Sequence, residues 1–187
     1  MIDERLHDGG CGIRSVVTAM RKTMLAVGCA LVGVMGLAGC EGLVVGEGNG
    51  GSGEVGRVTR VIDGDTIDVD LDGEIVRVRY LGANTPERDE PCYSDAVRAN
   101  RELVEGETVR LVMDTTDTDR FDRLLRYVYV GDTLVNGELV RQGFAEVVLY
   151  EPDGRFYETF LQYERDARRN RLGCHPTGIF EDGSDRR

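Results

Sequence analysis

At 187 residues, with a net charge of −11 and a pI near 4.7, the chain has room for one domain plus appendages and lacks the basic surface of an ordinary polyanion binder. Its two histidines, His7 and His175, stand near opposite ends and Lys22 is its only lysine, which excludes histidine-relay catalysis, His–Cys zinc sites and lysine-nucleophile chemistry in the domain. What remains is carboxylate, arginine, aromatic and a hard cation held by oxygens, which are tools for phosphoryl chemistry.

Residues 1–19 carry Asp3, Glu4 and Asp8 and do not resemble the basic start of an export signal, so Met20, directly before Arg21 and Lys22, reads as the start. Met24 to Gly39 is an uncharged apolar run. It is shorter than the roughly 20 residues of a spanning helix and ends in small residues, as a secretory signal does. Its last residues, L-A-G-C, resemble a lipoprotein processing box, which implies lipidation of Cys40 and an anchor at the outer face of the cell membrane. A single short membrane helix is the alternative, and either would export the domain beyond it. Residues 41–55 are Gly-rich, without hydrophobic period, and read as a flexible linker. The folded domain is expected over 56–175, followed by a tail over 176–187. The acidic, lysine-poor composition suits molar salt, where the Debye length falls to about 3 Å and self-repulsion is screened.

Within the domain, GRVTRVI, TIDVDLD and IVRVRYL alternate with period two and predict three antiparallel strands. The second half of DGDTIDVDLDG imitates a calcium loop of the helix-loop-helix kind. Counted from Asp68, however, its twelfth position is Arg79 where a bidentate Glu is required, and the flanks are strand-like. Asp72-Gly73 reads instead as a hairpin turn. Alternation places Asp65 on the inward side with Ile67, Val69 and Leu71, and leaves Asp68, Asp70 and Asp72 in solvent. A helix over Ser94–Glu105 closed by Gly106 follows, then strands ETVRLVM and LLRYVYV, a short helix near Val135–Gln142 closed by Gly143, and the apolar run FAEVVLY. The last helix carries Phe156, Phe160, Tyr163 and Ala167 on one stripe and ends in arginines that suit the negative end of its dipole. Five short strands with interleaved helices exclude a bundle and lack the regular alternation of a parallel sheet, so a small α+β barrel with helices packed on it fits best.

Of five cysteines, Cys11 and Cys29 lie in or before the signal and Cys40 is the lipid site, leaving Cys92 and Cys174 in the domain. In an exported chain such a pair often bridges, which would contribute up to roughly 4 to 5 kcal/mol, and two free thiols are the alternative.

Four clusters concentrate the chemistry: I-D-G-D-T at 62–66, R-Y-L-G-A-N-T-P-E at 79–87, D-R-F-D-R at 119–123 and L-V-R-Q-G-F-A at 139–145. In this order and spacing they resemble the thermonuclease family, calcium-dependent phosphodiesterases related to staphylococcal nuclease. The resemblance implies a five-stranded oligonucleotide-binding (OB-fold) barrel with about three helices. It implies Ca2+ held by Asp65, by Asn84 where the family usually has Asp, and by the backbone carbonyl of Thr85. Glu87 matches the general base for the attacking water, and Arg79 and Arg123 match the two arginines that clamp the scissile phosphate. Phe121, where the family often has Tyr, and Tyr150 match aromatics that contact substrate. The expected substrate is DNA, and RNA as well, cleaved outside the cell by a monomer. The rival expectation is a catalytically silent barrel that binds nucleic acid or another ligand at the cell surface, favoured by Asn84 and the acidic surface.

Overall fold

The computed structural model describes residues 53–181. Cys40, the expected export signal, most of the Gly-rich segment and residues 182–187 lie outside the described residues.

Strand β1, Glu54–Asp63, begins two residues ahead of the expected domain start and turns through Gly64 and Asp65 into β2, Thr66–Leu71. Asp72 and Gly73 both take positive φ, 53° and 95°, which is the backbone that a two-residue hairpin between twisted strands requires. The Asp70 carboxylate accepts the Gly73 N–H at 2.7 Å and closes that turn into β3, Glu74–Tyr80. The imitation calcium loop is therefore a hairpin whose aspartates serve the turn and the strand.

A short strand β4, Ala83–Asn84, leads through a loop to helix α1, Tyr93–Val104, after which come β5, Thr108–Val112, and β6, Leu124–Val130. A brief β7, Thr133–Leu134, returns beside β6 and enters α2, Val135–Arg141. Then β8, Glu146–Val147, pairs with β4, and α3 occupies Tyr157–Arg169.

The five longer strands run in the order β3-β2-β1-β5-β6, and a parallel pairing of β3 with β6 closes the barrel. The remaining contacts among these five are antiparallel, so the barrel is mixed, and closure removes the free sheet edges. With its three helices this is the five-stranded OB-fold α+β architecture of the staphylococcal nuclease type.

Ile67, Val69, Val78, Val109, Leu111 and Val128 fill the barrel and are essentially inaccessible. Each such side chain stabilises the fold by about 1.5–3 kcal/mol relative to an exposed one. Helices α2 and α3 cover the side wall through Val135, Leu139, Val140 and Phe160, and Phe160 lies between Phe156 and Tyr163 as the apolar stripe predicts. Asn136 joins this layer to the sheet. Its buried amide donates to the carbonyls of Leu81 (2.9 Å) and Arg126 (3.1 Å), and its oxygen accepts the Val128 N–H (2.9 Å). Each of those groups would be costly to bury unpaired.

Of the expectations about the aspartates, one holds and one is corrected. Asp65 is buried as expected, but it lies in the turn between β1 and β2, so contacts other than strand alternation set its position. Asp68 is buried rather than solvated. It stands opposite Arg77 across the β2–β3 ladder, and the guanidinium covers it with two bonds, Nε to Oδ1 at 2.8 Å and Nη2 to Oδ2 at 3.1 Å.

Candidate active site

The site is built on the β1–β2 turn and the segment that follows β3. At Gly64 the chain passes so close to Thr85 that a Cβ there would fall 2.5 Å from the Thr85 hydroxyl oxygen. That approach lets Thr85 donate twice to Asp65 Oδ2, from its backbone N–H at 2.8 Å and its hydroxyl at 3.0 Å. Arg79, near the end of β3, reaches the same carboxylate oxygen with Nη1 at 2.6 Å. Its guanidinium also donates to the Ala83 carbonyl at 3.0 Å and, through Nη2, to Asn84 Oδ1 at 2.7 Å.

Asp65, Arg79, Asn84 and Thr85 are thus in direct mutual contact, and all four are buried. An isolated charge at such a place would be costly, and an arginine held by forked, charge-assisted bonds offsets that cost. The fold brings them together because the hairpin carries Arg79 back beside the turn, while β4 is tied down by β8.

Asp63, at the end of β1, stands beside this group, with its carboxylate accepting the Asp65 N–H at 3.2 Å. Burial, reinforced by the neighbouring charge of Asp65, raises its pKa from 3.8 to about 6. Its carbonyl accepts the Asn100 amide at 2.9 Å, and Asn100 in turn accepts the buried Tyr80 hydroxyl at 2.9 Å. The network links the turn to α1.

The other matched residues lie farther out. Arg123 sits just before Leu124, the partner of Val78 across the parallel closure, which sets it alongside β3. A single Asp119 oxygen, Oδ2, holds one edge of its guanidinium, at 2.7 Å from Nε and 2.6 Å from Nη2. Burial acts to raise the Asp119 carboxyl, but bonds from the Arg123 side chain and from the Arg123 and Phe121 backbones hold it below the usual range. The Phe121 ring is 62% exposed, with the Arg120 and Arg123 guanidiniums near it at 4.7 and 5.4 Å from its centroid. Tyr150 is exposed in the loop after β8, where its carbonyl accepts the Asp153 N–H at 2.8 Å. Glu87 is exposed just beyond the buried Thr85 and Pro86, and its N–H is fixed by Glu90 Oε2 at 2.7 Å.

Sequence reasoning passed over several residues that shape the site. Asp63 was visible as the first Asp of D-G-D, but nothing local marks it as partly buried beside Asp65. Glu146, on β8 opposite Asn84, accepts the Asn84 amide at 3.0 Å, a contact between residues 62 positions apart. Buried Asp153 caps two backbone N–H groups, those of Thr115 and Thr116, each at 2.8 Å, and so fixes the strand exit that faces the Tyr150 loop. No spacing rule points to these pairings.

Cys92, immediately before α1, and Cys174, after α3, are joined in a disulfide with Cα atoms 5.6 Å apart and 82 positions between them in sequence. The bridge fastens the helix that follows the Glu87 loop to the C-terminal part of the domain.

The donors that converge on the turn are all oxygens, which suits a hard cation. Among the described residues no three or more His, Cys, Asp or Glu side chains gather as a metal site. A cation here would therefore rest on the Asp65 carboxylate together with the Asn84 amide oxygen and the Thr85 carbonyl. Asn84 Oδ1 already accepts one bond from Arg79 and retains a second lone pair. A buried carboxylate, an adjacent buried arginine and a second arginine by an exposed aromatic are equipped to engage a phosphodiester: the arginines through forked bonds to its oxygens, the carboxylate through a cation.

A family model described as staphylococcal nuclease homologue matches residues 77–175. A thermonuclease of Staphylococcus intermedius is 35% identical over 126 residues, covering 64% of this chain and 75% of that protein. Endonuclease YncB of Bacillus subtilis (strain 168) is 39% identical over 121 residues, covering 60% of this chain and 57% of that protein. The SPbeta prophage-derived endonuclease YokF of the same strain is 38% identical over 121 residues, covering 60% of this chain and 41% of its own length. The barrel, its four motif clusters and these matches agree, and the chain belongs to the family of staphylococcal nuclease homologues.

Proposed function

We propose that this chain is a nuclease that hydrolyses phosphodiester bonds of DNA and RNA outside the cell, with Ca2+ as cofactor, as a monomer held to the membrane by lipid on Cys40. The observation that carries the reading is the buried Asp65–Arg79 pair, 2.6 Å apart and fixed by Thr85. Binding alone would not require a buried carboxylate facing a polyanion. The Cys92–Cys174 disulfide supports an oxidising compartment and hence export.

Asp65, Asn84 and Thr85 would hold the calcium ion, which when bound polarises a phosphoryl oxygen and favours ionisation of water. Arg79 and Arg123 donate to the phosphoryl oxygens, with bonds that strengthen as charge develops in the transition state. Arginine suits this role because it stays protonated at any working pH. Glu87, exposed at the mouth of the site, takes the proton of the attacking water on its carboxylate. Activity should accordingly rise with pH. Phe121 and Tyr150 offer exposed rings to the substrate.

The test is cleavage of plasmid DNA by the purified domain in molar salt, with calcium or with a chelator, and with Glu87→Ala as control. Calcium-dependent cleavage that the variant lacks supports the reading. No cleavage with calcium would leave a nucleic-acid-binding barrel, the reading that Asn84 favours because the site has one carboxylate fewer than the usual pair.

A further inference from the structure

We propose that the groove between β3 and the 119–123 loop is a second nucleotide subsite, in which Arg77, held by Asp68, binds the phosphate adjoining the scissile one and Phe121 contacts the base. This rests on the nuclease reading above.

A cavity of about 290 Å³ opens here, lined by Asp68, Ile75, Arg77, Phe121 and Arg123. It therefore shares Arg123 with the catalytic set and continues the site along β3. Arg77 and Arg79 are two residues apart on that strand, so they project from one face with about 6.6 Å between their backbone positions. That is the scale on which successive phosphates of an extended single strand repeat, so a strand clamped at Arg79 would bring its next phosphate to Arg77.

Arg77 is prepared for such a contact. Asp68 fixes its Nε and Nη2, while the guanidinium side chain remains 48% exposed. Five donors are available and the bidentate pair uses two, so Nη1 and the outer edge of Nη2 stay free to bond an anion. The pair also restricts a side chain that would otherwise lose rotamer freedom on binding. The opposite wall is Phe121, an exposed ring with an arginine on each side of it in the loop. Any base can stack on such a ring, so the subsite would be tolerant of sequence. A surface ion pair by itself would carry no inference. This one shares a cavity with a catalytic arginine and an exposed aromatic flanked by arginines, and it lies one strand repeat from the buried ion pair.

The experiment compares the full chain with Arg77→Gln, Arg77→Lys and Asp68→Asn, using single-stranded di- and hexanucleotides of thymidine. Cleavage is measured with calcium, and binding of the fluorescein-labelled hexanucleotide is measured in chelator over a range of salt. The ratio of kcat/KM for the hexanucleotide to that for the dinucleotide should fall roughly tenfold in Arg77→Gln. The slope of log Kd against log salt should become shallower by about 0.7, as expected when a protein neutralises one phosphate fewer on a single strand. Arg77→Lys should keep the salt slope and lose part of the ratio. Asp68→Asn should do likewise, because it frees the guanidinium without removing its charge. An unchanged ratio and slope in Arg77→Gln, or equal losses on both lengths, would overturn the subsite. Absence of cleavage by the parent chain would instead sink the nuclease reading, and the binding measurements would still decide the subsite. Thermal melting of each variant identifies loss of fold, in which case the two milder substitutions carry the comparison.

Discussion

Asn84 and Asp63 both limit the negative charge of the site, by different means. At Asn84 an amide stands where the family resemblance leads one to expect a carboxylate, so a cation site here would have one negative charge fewer, and calcium affinity follows the charge of the ligands. Asn84→Asp should tighten calcium binding in a calorimetric titration. An unchanged or weaker affinity would show that this residue does not face the ion. At Asp63, burial and the charge of Asp65 resist ionisation and raise its pKa to about 6. The folded chain thus keeps a proton that the unfolded chain releases near 3.8. The stability this provides is complete at low pH and lost as pH rises through about 6. Asp63→Asn, which imitates the protonated form, should flatten that fall. Urea denaturation in chelator across this range checks it, and a wild-type–variant difference that does not vary with pH would place the Asp63 pKa at its ordinary value.

At the scale of elements, the decisive unit is the β1–β2 turn packed on the segment after β3. Gly64 is demanded there by a close approach rather than by its φ, because a Cβ would meet the Thr85 side chain at 2.5 to 2.8 Å. Gly64→Ala should displace Thr85, remove its bonds to Asp65 and cost about 1–3 kcal/mol, the usual penalty of overpacking. Activity should fall much further than stability, since a shift of the Asp65 carboxylate misplaces the group on which the proposed cation would rest. Denaturant titration beside an initial-rate assay separates the two, and a variant with full activity would show that the Thr85 contact is dispensable. The hairpin itself needs no such help, because Asp72 and Gly73 adopt positive φ readily.

Over the whole molecule, closure of the barrel and the Cys92–Cys174 bridge hold the site's distant parts in register. The bridge spans 82 positions, and in the chain-entropy model a loop of that size stabilises by about 4 to 5 kcal/mol. Cys92→Ser with Cys174→Ser should lower the unfolding free energy by a large part of this, measured by urea denaturation beside the parent. A loss below about 1 kcal/mol would mean that the unfolded chain is already compact, which is where that model overstates the gain.

Strand periodicity, the D-G turn and the apolar stripe of the last helix determined the element list and the barrel class. These signals arise from backbone and side-chain preferences within a few residues, which is what a sequence records directly. The motif clusters likewise placed Asp65, Arg79, Asn84 and Thr85 in one candidate set. Parity gave the right side for Asp65, although a turn and not the strand carries it, and misled at Asp68, which an arginine across the ladder buries. The Glu146–Asn84 contact, the partial burial of Asp63 and the alignment of Arg77 with Phe121 were decided by tertiary structure alone. The pairing of Arg79 with Asp65 follows from the register of the β2–β3 hairpin, whereas Glu146 and Phe121 reach the site through the β4–β8 pairing and barrel closure, and distance in sequence leaves no local trace of such contacts.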